Sequence, residues 1–470
     1  MKYTTVIGLE IHAELKTKSK IFCSCENSFG DERNTRCCPV CTALPGSLPS
    51  LNREAVEMTI AAGLALGCEI APIAKWDRKN YFYPDLPKAY QISELYAPIC
   101  IGGGLSINGR AIRLNHIHLE EDAGKLVHQG VKTFLDYNRA GVPLIEIVTE
   151  PDMRSPEEAA AFVEKVRRTL VYIGVCDGRM EQGSLRCDAN ISIMPEGSEV
   201  LGTRTEIKNL NSFRFIKSAI EYEVKRQMEV LGDGEKVIQE TRRYDAQCGE
   251  TFSMRSKENA HDYRYFPDPD IPPVLISRED AARIGERLPE LPEARLERYT
   301  KEFGLSEVDA ETILAEQRIS DYYDTAIKLG AEPRVAANSI KGELMRCLNT
   351  AQSKGEIPVA AEDFVKVINL AAQGKISQNG LKKAIAVMFE EGKDAETVIK
   401  EQNLMISEDL ELVASVIEEV LKQNPAPLAQ YKSGDTKVLG FFMGQCSKVL
   451  KGKAHPKTIQ DLLKKALDNA

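Results

Sequence analysis

The side chains of this 470-residue chain that could do chemistry fall into two sets, and the first is built from acids and histidines two residues apart. In "GLEIHAEL" (8–15), Glu10, His12 and Glu14 alternate with Leu9, Ile11, Ala13 and Leu15, so a strand would put the acids and the imidazole on one face. "AIRLNHIHLEED" (111–122) repeats the device with His116, His118 and Glu120. In "VPLIEIVTEPD" Glu146 is the only ionisable group between Val142 and Val148, and apolar residues on both faces mark a buried strand. A carboxylate in that setting costs several kcal/mol unless a cation or hydrogen bonds compensate. Glu10, His12, Glu120 and Glu146 therefore make a candidate cation site, rich in oxygen with one imidazole, which suits Mg²⁺ or Mn²⁺ better than Zn²⁺. "SLRCDANIS" (184–192) puts Arg186, Asp188 and Asn190 on one face, and "RTEIK" (204–208) does the same for Arg204, Glu206 and Lys208. With Lys79 these cations suit phosphate chemistry. Taken singly, each pattern also fits an ordinary half-exposed strand with unrelated ion pairs.

The second set is "FCSCENSFGDERNTRCCPVC" (22–41), which pairs Cys23 and Cys25 with Cys38 and Cys41. Two close pairs a dozen or so residues apart match a structural Zn²⁺ site of four thiolates. Cys37 beside Cys38 leaves one ligand ambiguous, and a redox pair of Cys38 and Cys41 is the alternative. A zinc hydrolase is disfavoured, because four thiolates leave no open coordination position. The other seven cysteines are scattered and read as small core hydrophobes. A third stretch, "WDRKNYFYPDLPKAYQIS" (76–93), mixes Arg78, Lys79 and Lys88 with Tyr81, Phe82, Tyr83 and Tyr90. It can hold a nucleotide or acceptor end, or be a packed loop turned by Pro84 and Pro87. No Gly-rich phosphate loop is present, since Gly124-Lys125 lacks both the earlier glycine and the following Ser or Thr.

These residues need strands to present them. Strands are expected over 4–15, 111–120, 142–149, 184–192 and 203–209, and helices over 53–66, 155–173 (opened by a capping box from Ser155 to Glu158) and 212–231 (opened by Ser212). After the proline cluster "FPDPDIPPV" (266–274) the apolar period becomes three and four, with N-caps at Ser277 and Ser306. The pattern is α+β followed by helices. From Lys432 onward eight lysines face three aspartates, with no arginine or glutamate, a local excess of five positive charges in a chain of formal charge −9. A small basic helical tail follows, either a solvated face or a contact for phosphates. Length suits about three domains and the 43% apolar content is ample for cores. No apolar run reaches the roughly 20 residues of a membrane span, and the N-terminus carries acids where a signal peptide needs an apolar core. A cytosolic protein is expected.

Nine stretches in one order carry a resemblance: "VIGLEIHAELKT", "CPVCTALPGSLPSLN", "RKNYFYPDLPKAYQIS", "HLEEDAGK", "NRAGVPLIEIVTEPD", "EQGSLRCDANIS", "EIKNLNSFR", "MRSKENAHDYRYFPDPD" and "GFFMGQCSKVLKGKAHP". Together they resemble the GatB family of aspartyl/glutamyl-tRNA amidotransferases over nearly the whole chain. The resemblance implies a strand-rich catalytic cradle, similar to glutamine synthetase and guanidino kinases, over 1–292, a helical domain over 293–404, and a YqeY-like tRNA-binding tail over 405–470. It implies a heterotrimer in which the other two members are an amidase, GatA, and a small protein, GatC. With ATP, such a complex phosphorylates the side-chain carboxylate of Glu-tRNA(Gln) or Asp-tRNA(Asn), and ammonia from the amidase displaces the phosphate. Carried over, the metal ligands fall on Glu10, His12, Glu120 and Glu146, with Asp188 and Glu206 for a second metal, and Lys79, Tyr81, Arg186 and Lys208 for ATP or the aminoacyl end. Zinc on Cys23, Cys25, Cys38 and Cys41 would be structural. The amidase's Gly/Ser-rich signature is missing, so this chain is not expected to hydrolyse glutamine by itself. A non-catalytic tRNA-binding scaffold is the alternative function.

Overall fold

The structure is a computed structural model that describes residues 2–256, 262–352, 355–406, 410–432, 438–450, 454 and 456–469. It divides into two compact units, Met1–Pro292 and Glu293–Ala470.

The first unit is organised by one large sheet. Its order from one edge is Glu250–Ser256, Glu240–Asp245, Thr205–Lys208, Leu185–Pro195, Tyr3–Glu14, Pro143–Thr149, Arg110–Glu121, Cys100–Ile101 and Glu69–Ile70, with Gly104–Ile107 also paired to Arg110–Glu121. Pairing is antiparallel except between Thr205–Lys208 and Glu240–Asp245. Tyr3–Glu14 lies at the centre, where Ile11 faces Ile147 on one side and Cys187 on the other. Because paired residues point the same way, the apolar alternates of the central strands make one continuous face. Leu9, Ile11, Ala13, Ile117, Ile145, Ile147, Ala189 and Ile207 are all buried there. That face packs with Phe162, Val163, Val166 and Leu170 of the Pro156–Tyr172 helix and with Ile216, Ala219 and Ile220 of Phe213–Gly232. Each such large aliphatic side chain contributes roughly 1.5–3 kcal/mol on burial.

Both helices begin as their first turns demand. Ser155 Oγ accepts from Glu158 N–H at 3.1 Å and Ser212 Oγ from Phe215 N–H at 3.1 Å. The expected capping box is half formed, because the Glu158 carboxylate accepts from Arg154 N–H at 2.7 Å and not from the cap residue. All five expected strands are present. The aromatic stretch at 76–93 differs from a packed loop: Ile73–Asn80 and Tyr90–Ala97 are antiparallel strands of a second sheet, with Asn80 opposite Tyr90, and only the residues between them turn. Phe266–Pro267 and Val274–Leu275 also pair with Ile73–Asn80.

The second unit is helical throughout its described residues, with the expected cap at Ser306 accepting from Asp309 N–H at 3.2 Å. Its last helices, Leu410–Gln423, Val438–Leu450 and Pro456–Asn469, share an apolar cluster that includes Val413, Ile417, Phe442, Cys446 and Leu463. Lys448, Lys457, Lys464 and Lys465 are exposed on it, whereas residues 435, 437, 451 and 453 lie outside the described residues.

Candidate metal and nucleotide site

The other face of the large sheet is polar. Cross-strand register puts His12 opposite both Glu146 and Arg186, Glu10 opposite Asp188, Asn190 opposite Glu206, and Glu146 opposite His118. Residues far apart in the chain therefore come side by side through sheet pairing alone.

The structure divides the expected four-residue cation site in two. His12, Glu120 and Glu146 form one group and Glu10, Asp188 and Glu206 form another, each with ligand atoms within 4.8 Å of one another. Glu10 groups with Asp188 and Glu206 because, one pleat along the strand from His12, it is paired with Asp188 and Val148 where His12 is paired with Arg186 and Glu146. An imidazole with two carboxylates, and three carboxylates, are both donor sets for a hard divalent cation.

Each group is held by resident cations and donors. His12 Nε2 lies 3.3 Å from Glu146 Oε2, and His118 Nε2 lies 3.4 Å from Glu146 Oε2 and 3.5 Å from Glu120 Oε2. Ser93 Oγ donates to Glu120 Oε2 at 3.3 Å. Burial pushes the Glu146 carboxyl upward, but the His12 hydrogen bond and the charges of His12, His118 and Lys79 outweigh it and hold the group well below the usual carboxylate range. Burial likewise opposes the charge on His118, and its bond to Glu120 with the Glu146 charge wins, raising the imidazole to about 9. In the other group, Lys208 Nζ bonds Asp188 Oδ2 at 2.8 Å and Glu206 Oε1 at 2.7 Å, Asn190 donates to Glu10 at 2.9 Å, and Thr241 Oγ1 donates to Glu206 at 2.7 Å. Burial and the Glu146 charge raise the Glu10 carboxyl.

Six of the expected residues, Glu10, His12, Lys79, Glu146, Glu206 and Lys208, line a single cavity of about 260 Å³ with Arg204, Thr241 and Tyr263. Lys79 Nζ stands 5.2 Å from the Tyr263 ring centre. Burial disfavours its charge, yet Glu120, Tyr265 and Glu146 together raise the ammonium above its ordinary value. Glu120 and Asp188 belong to the two ligand groups without lining the cavity, and two further expected residues are placed otherwise. Arg186 turns to Asp122, with Nη2 2.7 Å from Oδ2, and is not among the residues lining the cavity. Tyr81 is likewise not among the lining residues, and its ring is edge-on to that of Tyr263 at 5.8 Å. Arg78 is also occupied, by Asp268 at 2.7 Å and Asp270 at 2.8 Å, and Lys88 pairs with Glu121. Sequence reasoning missed Thr241, Tyr263 and the bracing role of His118. His118 carried a signal in its place in the His116-His118-Glu120 alternation, and Tyr263 in the stretch "MRSKENAHDYRYFPDPD".

The cysteine cluster forms separately. Cys41 Sγ lies 3.3 Å from Cys23 Sγ and 3.7 Å from those of Cys25 and Cys38. A tetrahedron of thiolates about 2.3 Å from zinc has edges of about 3.8 Å, so four sulfurs at these spacings fit such an ion. Cys37 points away, to the Asn34 carbonyl at 3.3 Å, which leaves Cys38 as the fourth member.

Known proteins share this sequence along its whole length. Residues 5–282 match the family described as the GatB/GatE catalytic domain, and residues 321–467 match the GatB domain, which begins inside the segment read from sequence as the helical domain. A protein of Thermodesulfovibrio yellowstonii, named as the B component of aspartyl/glutamyl-tRNA(Asn/Gln) amidotransferase, is 50% identical over 473 residues, covering 99% of this chain and 100% of that one. The protein of the same name from Ruminiclostridium cellulolyticum is 51% identical over 475 residues, covering 100% of this chain and 98% of its own.

Proposed function

The chain belongs to the GatB family, and on that premise we propose that it is the ATP-using member of a tRNA-dependent amidotransferase, activating the side-chain carboxylate of Glu-tRNA(Gln) or Asp-tRNA(Asn) by phosphorylation before ammonia replaces the phosphate. The observation that carries the reading is the juxtaposition of two acidic ligand groups, Glu120 with Glu146 and His12, and Glu10 with Asp188 and Glu206, beside a cavity that also holds Lys79 and Lys208. A carboxylate is a poor electrophile, and a phosphoryl leaving group is the general remedy. Phosphoryl transfer needs charge neutralisation and positioning more than covalent help from the protein.

In this reading, His12, Glu120 and Glu146 hold one Mg²⁺ or Mn²⁺ and Glu10, Asp188 and Glu206 a second. The ions supply positive charge to the phosphoryl oxygens of ATP. Lys208, already between Asp188 and Glu206, adds a point charge at the cavity wall, and Lys79 adds another beside Tyr263. His118 keeps Glu120 and Glu146 ionised and aimed. The exposed lysines of the last helices are suited to tRNA phosphates, the amidase GatA supplies ammonia, the small GatC completes the complex, and zinc on Cys23, Cys25, Cys38 and Cys41 is structural. No described helix is long and apolar enough to cross a membrane, in keeping with a cytosolic complex.

The test is tRNA-dependent ATP hydrolysis by the assembled complex. Glu146→Ala and His12→Ala each remove a ligand worth several kcal/mol of transition-state charge stabilisation, so turnover falls by about a thousandfold or more while glutaminase activity persists. Unchanged ATP turnover in both variants would sink the reading and favour a tRNA-binding scaffold.

A further inference from the structure

Beside the cysteine cluster stands a cation with no acid to pair with. Lys20 is fully buried, and no carboxylate lies within ion-pair distance of it among the described residues. Its Nζ donates to the Ala140 carbonyl at 2.8 Å, the Tyr137 carbonyl at 3.2 Å and Cys41 Sγ at 3.6 Å, which uses all three protons. Two carbonyl dipoles do not neutralise an interior ammonium, whose desolvation costs several kcal/mol. Among the described residues, the one atom bonded to this ammonium that can carry the compensating charge is Cys41 Sγ.

We propose that Lys20 is the built-in counter-charge of the four-cysteine metal site and sets how firmly that site keeps its ion. Four thiolates around a divalent cation carry a net charge of minus two, and one ammonium bonded to a ligand sulfur halves it. The bond goes to Cys41, the most buried of the four, whose sulfur lies within 3.7 Å of each of the other three. Hydrogen bonds from outside the ligand shell fix the ligands and tune the ion they hold, and losing one typically costs 10–100-fold in affinity. The same ammonium also ties the cluster to the Tyr137–Ala140 turn, and Ile21 N–H bonds the Gly141 carbonyl next to it at 2.9 Å. Lys20 is therefore a positioning residue for the metal, acting through Cys41.

The experiment uses the full-length chain loaded with Zn²⁺ or Co²⁺, comparing the parent with Lys20→Met and Lys20→Arg. Competition with a chromogenic chelator should show zinc held about 10–100-fold more weakly in Lys20→Met and close to parental strength in Lys20→Arg. The thiolate-to-cobalt charge-transfer band should move to longer wavelength in Lys20→Met, since a sulfur without its N–H donor gives up charge more easily. Unchanged affinity overturns the proposal. So does weakened zinc with an unmoved cobalt band, because the lysine would then act only through the Tyr137–Ala140 turn. If Lys20→Met cannot be purified folded, Lys20→Gln, a neutral donor, must still lose affinity relative to the parent; parental affinity in that variant rejects the counter-charge.

Discussion

The acidic face and the cysteine cluster are both small sets of ligand atoms gathered within a few ångströms, but their scaffolds differ in kind. Glu10, His12, Glu120, Glu146, Asp188 and Glu206 all stand on strands of one sheet, fixed by register and backed by an apolar core on the opposite face. The four cysteines stand on irregular turns between Ile21 and Thr42, where few backbone bonds hold the chain. The acids are separated by resident cations, Lys208, His12 and His118, so this face is satisfied without an ion. The cysteines have one buried ammonium, and on the proposed reading a zinc ion keeps the four thiolates together. The lesson is a division of labour. On the proposed reading the sheet lends its ligands to a reaction without depending on them for folding, whereas the turn segment spends its ligands on being folded at all.

The sharpest way to break that division is to damage each region and read activity and stability together. Glu146→Gln keeps the volume and an acceptor, so the unfolding midpoint should stay within a few degrees while tRNA-dependent ATP hydrolysis falls by about a thousandfold. Cys41→Ser should do the reverse: about 4 kcal/mol of stability is lost, while turnover per folded molecule changes little. A Cys41→Ser protein of parental thermal stability would erase the distinction.

A pH experiment probes the contact between the second sheet, which carries Glu94, and the large one. Glu94, 1% exposed, accepts from Leu119 N–H at 2.9 Å and Ile99 N–H at 3.4 Å, while its Oε1 is buried without a hydrogen-bond partner. Burial raises this carboxyl to about 8, against the pull of those N–H groups and of His118. The folded state therefore binds a proton that the unfolded state releases near pH 4.5, and the stability this gives is lost as pH rises from about 4.5 to about 8. Glu94→Gln imitates the protonated acid. Its stability should exceed the parent's by a few kcal/mol at pH 8 and match it near pH 5, read from denaturant midpoints. A parent whose stability is flat over that range would show that Glu94 is ionised in the fold.

Legibility in the sequence followed the same division. The strands carrying Glu10, His12, Asp188 and Glu206 alternate, and an alternating strand buried on one side states both its structure and which residues share a face, while Glu146 was legible as the lone acid of a strand apolar on both faces. The caps at Ser155, Ser212 and Ser306 were legible for the same local reason. What sequence could not supply was the neighbour of each strand. Glu10 was grouped without sight of its partner across the sheet, Asp188, and Arg186 was assigned to ATP or the aminoacyl end because Asp122, its acceptor 64 residues away, left no trace in the strand pattern. Cysteine spacing identified the cluster, but choosing Cys38 over Cys37 required the turn that aims Cys37 at Asn34. Lys20 carried no signal, since a lysine in sequence reads as surface.

The finest test lies within the acidic face, between its two ligand groups. Thr241 Oγ1 donates to Glu206 at 2.7 Å, a good hydrogen bond, whereas Ser93 Oγ reaches Glu120 at 3.3 Å, near the outer limit. Thr241 comes from Glu240–Asp245, the strand that pairs in parallel with Thr205–Lys208, and Lys208 Nζ already holds the other Glu206 oxygen. Thr241→Val is close in shape and deletes only the donor. It should cost about 1 kcal/mol, roughly fivefold in Mn²⁺ affinity at the Glu10, Asp188 and Glu206 group. Ser93→Ala should cost less at the other group, where His118 and Lys79 already compensate Glu120. Titration of Mn²⁺ by electron paramagnetic resonance resolves the two. A larger loss from Ser93→Ala than from Thr241→Val would mean that hydrogen-bond length is not what separates the groups, and that the histidine-braced ligands depend on their neutral donors more than on their cations.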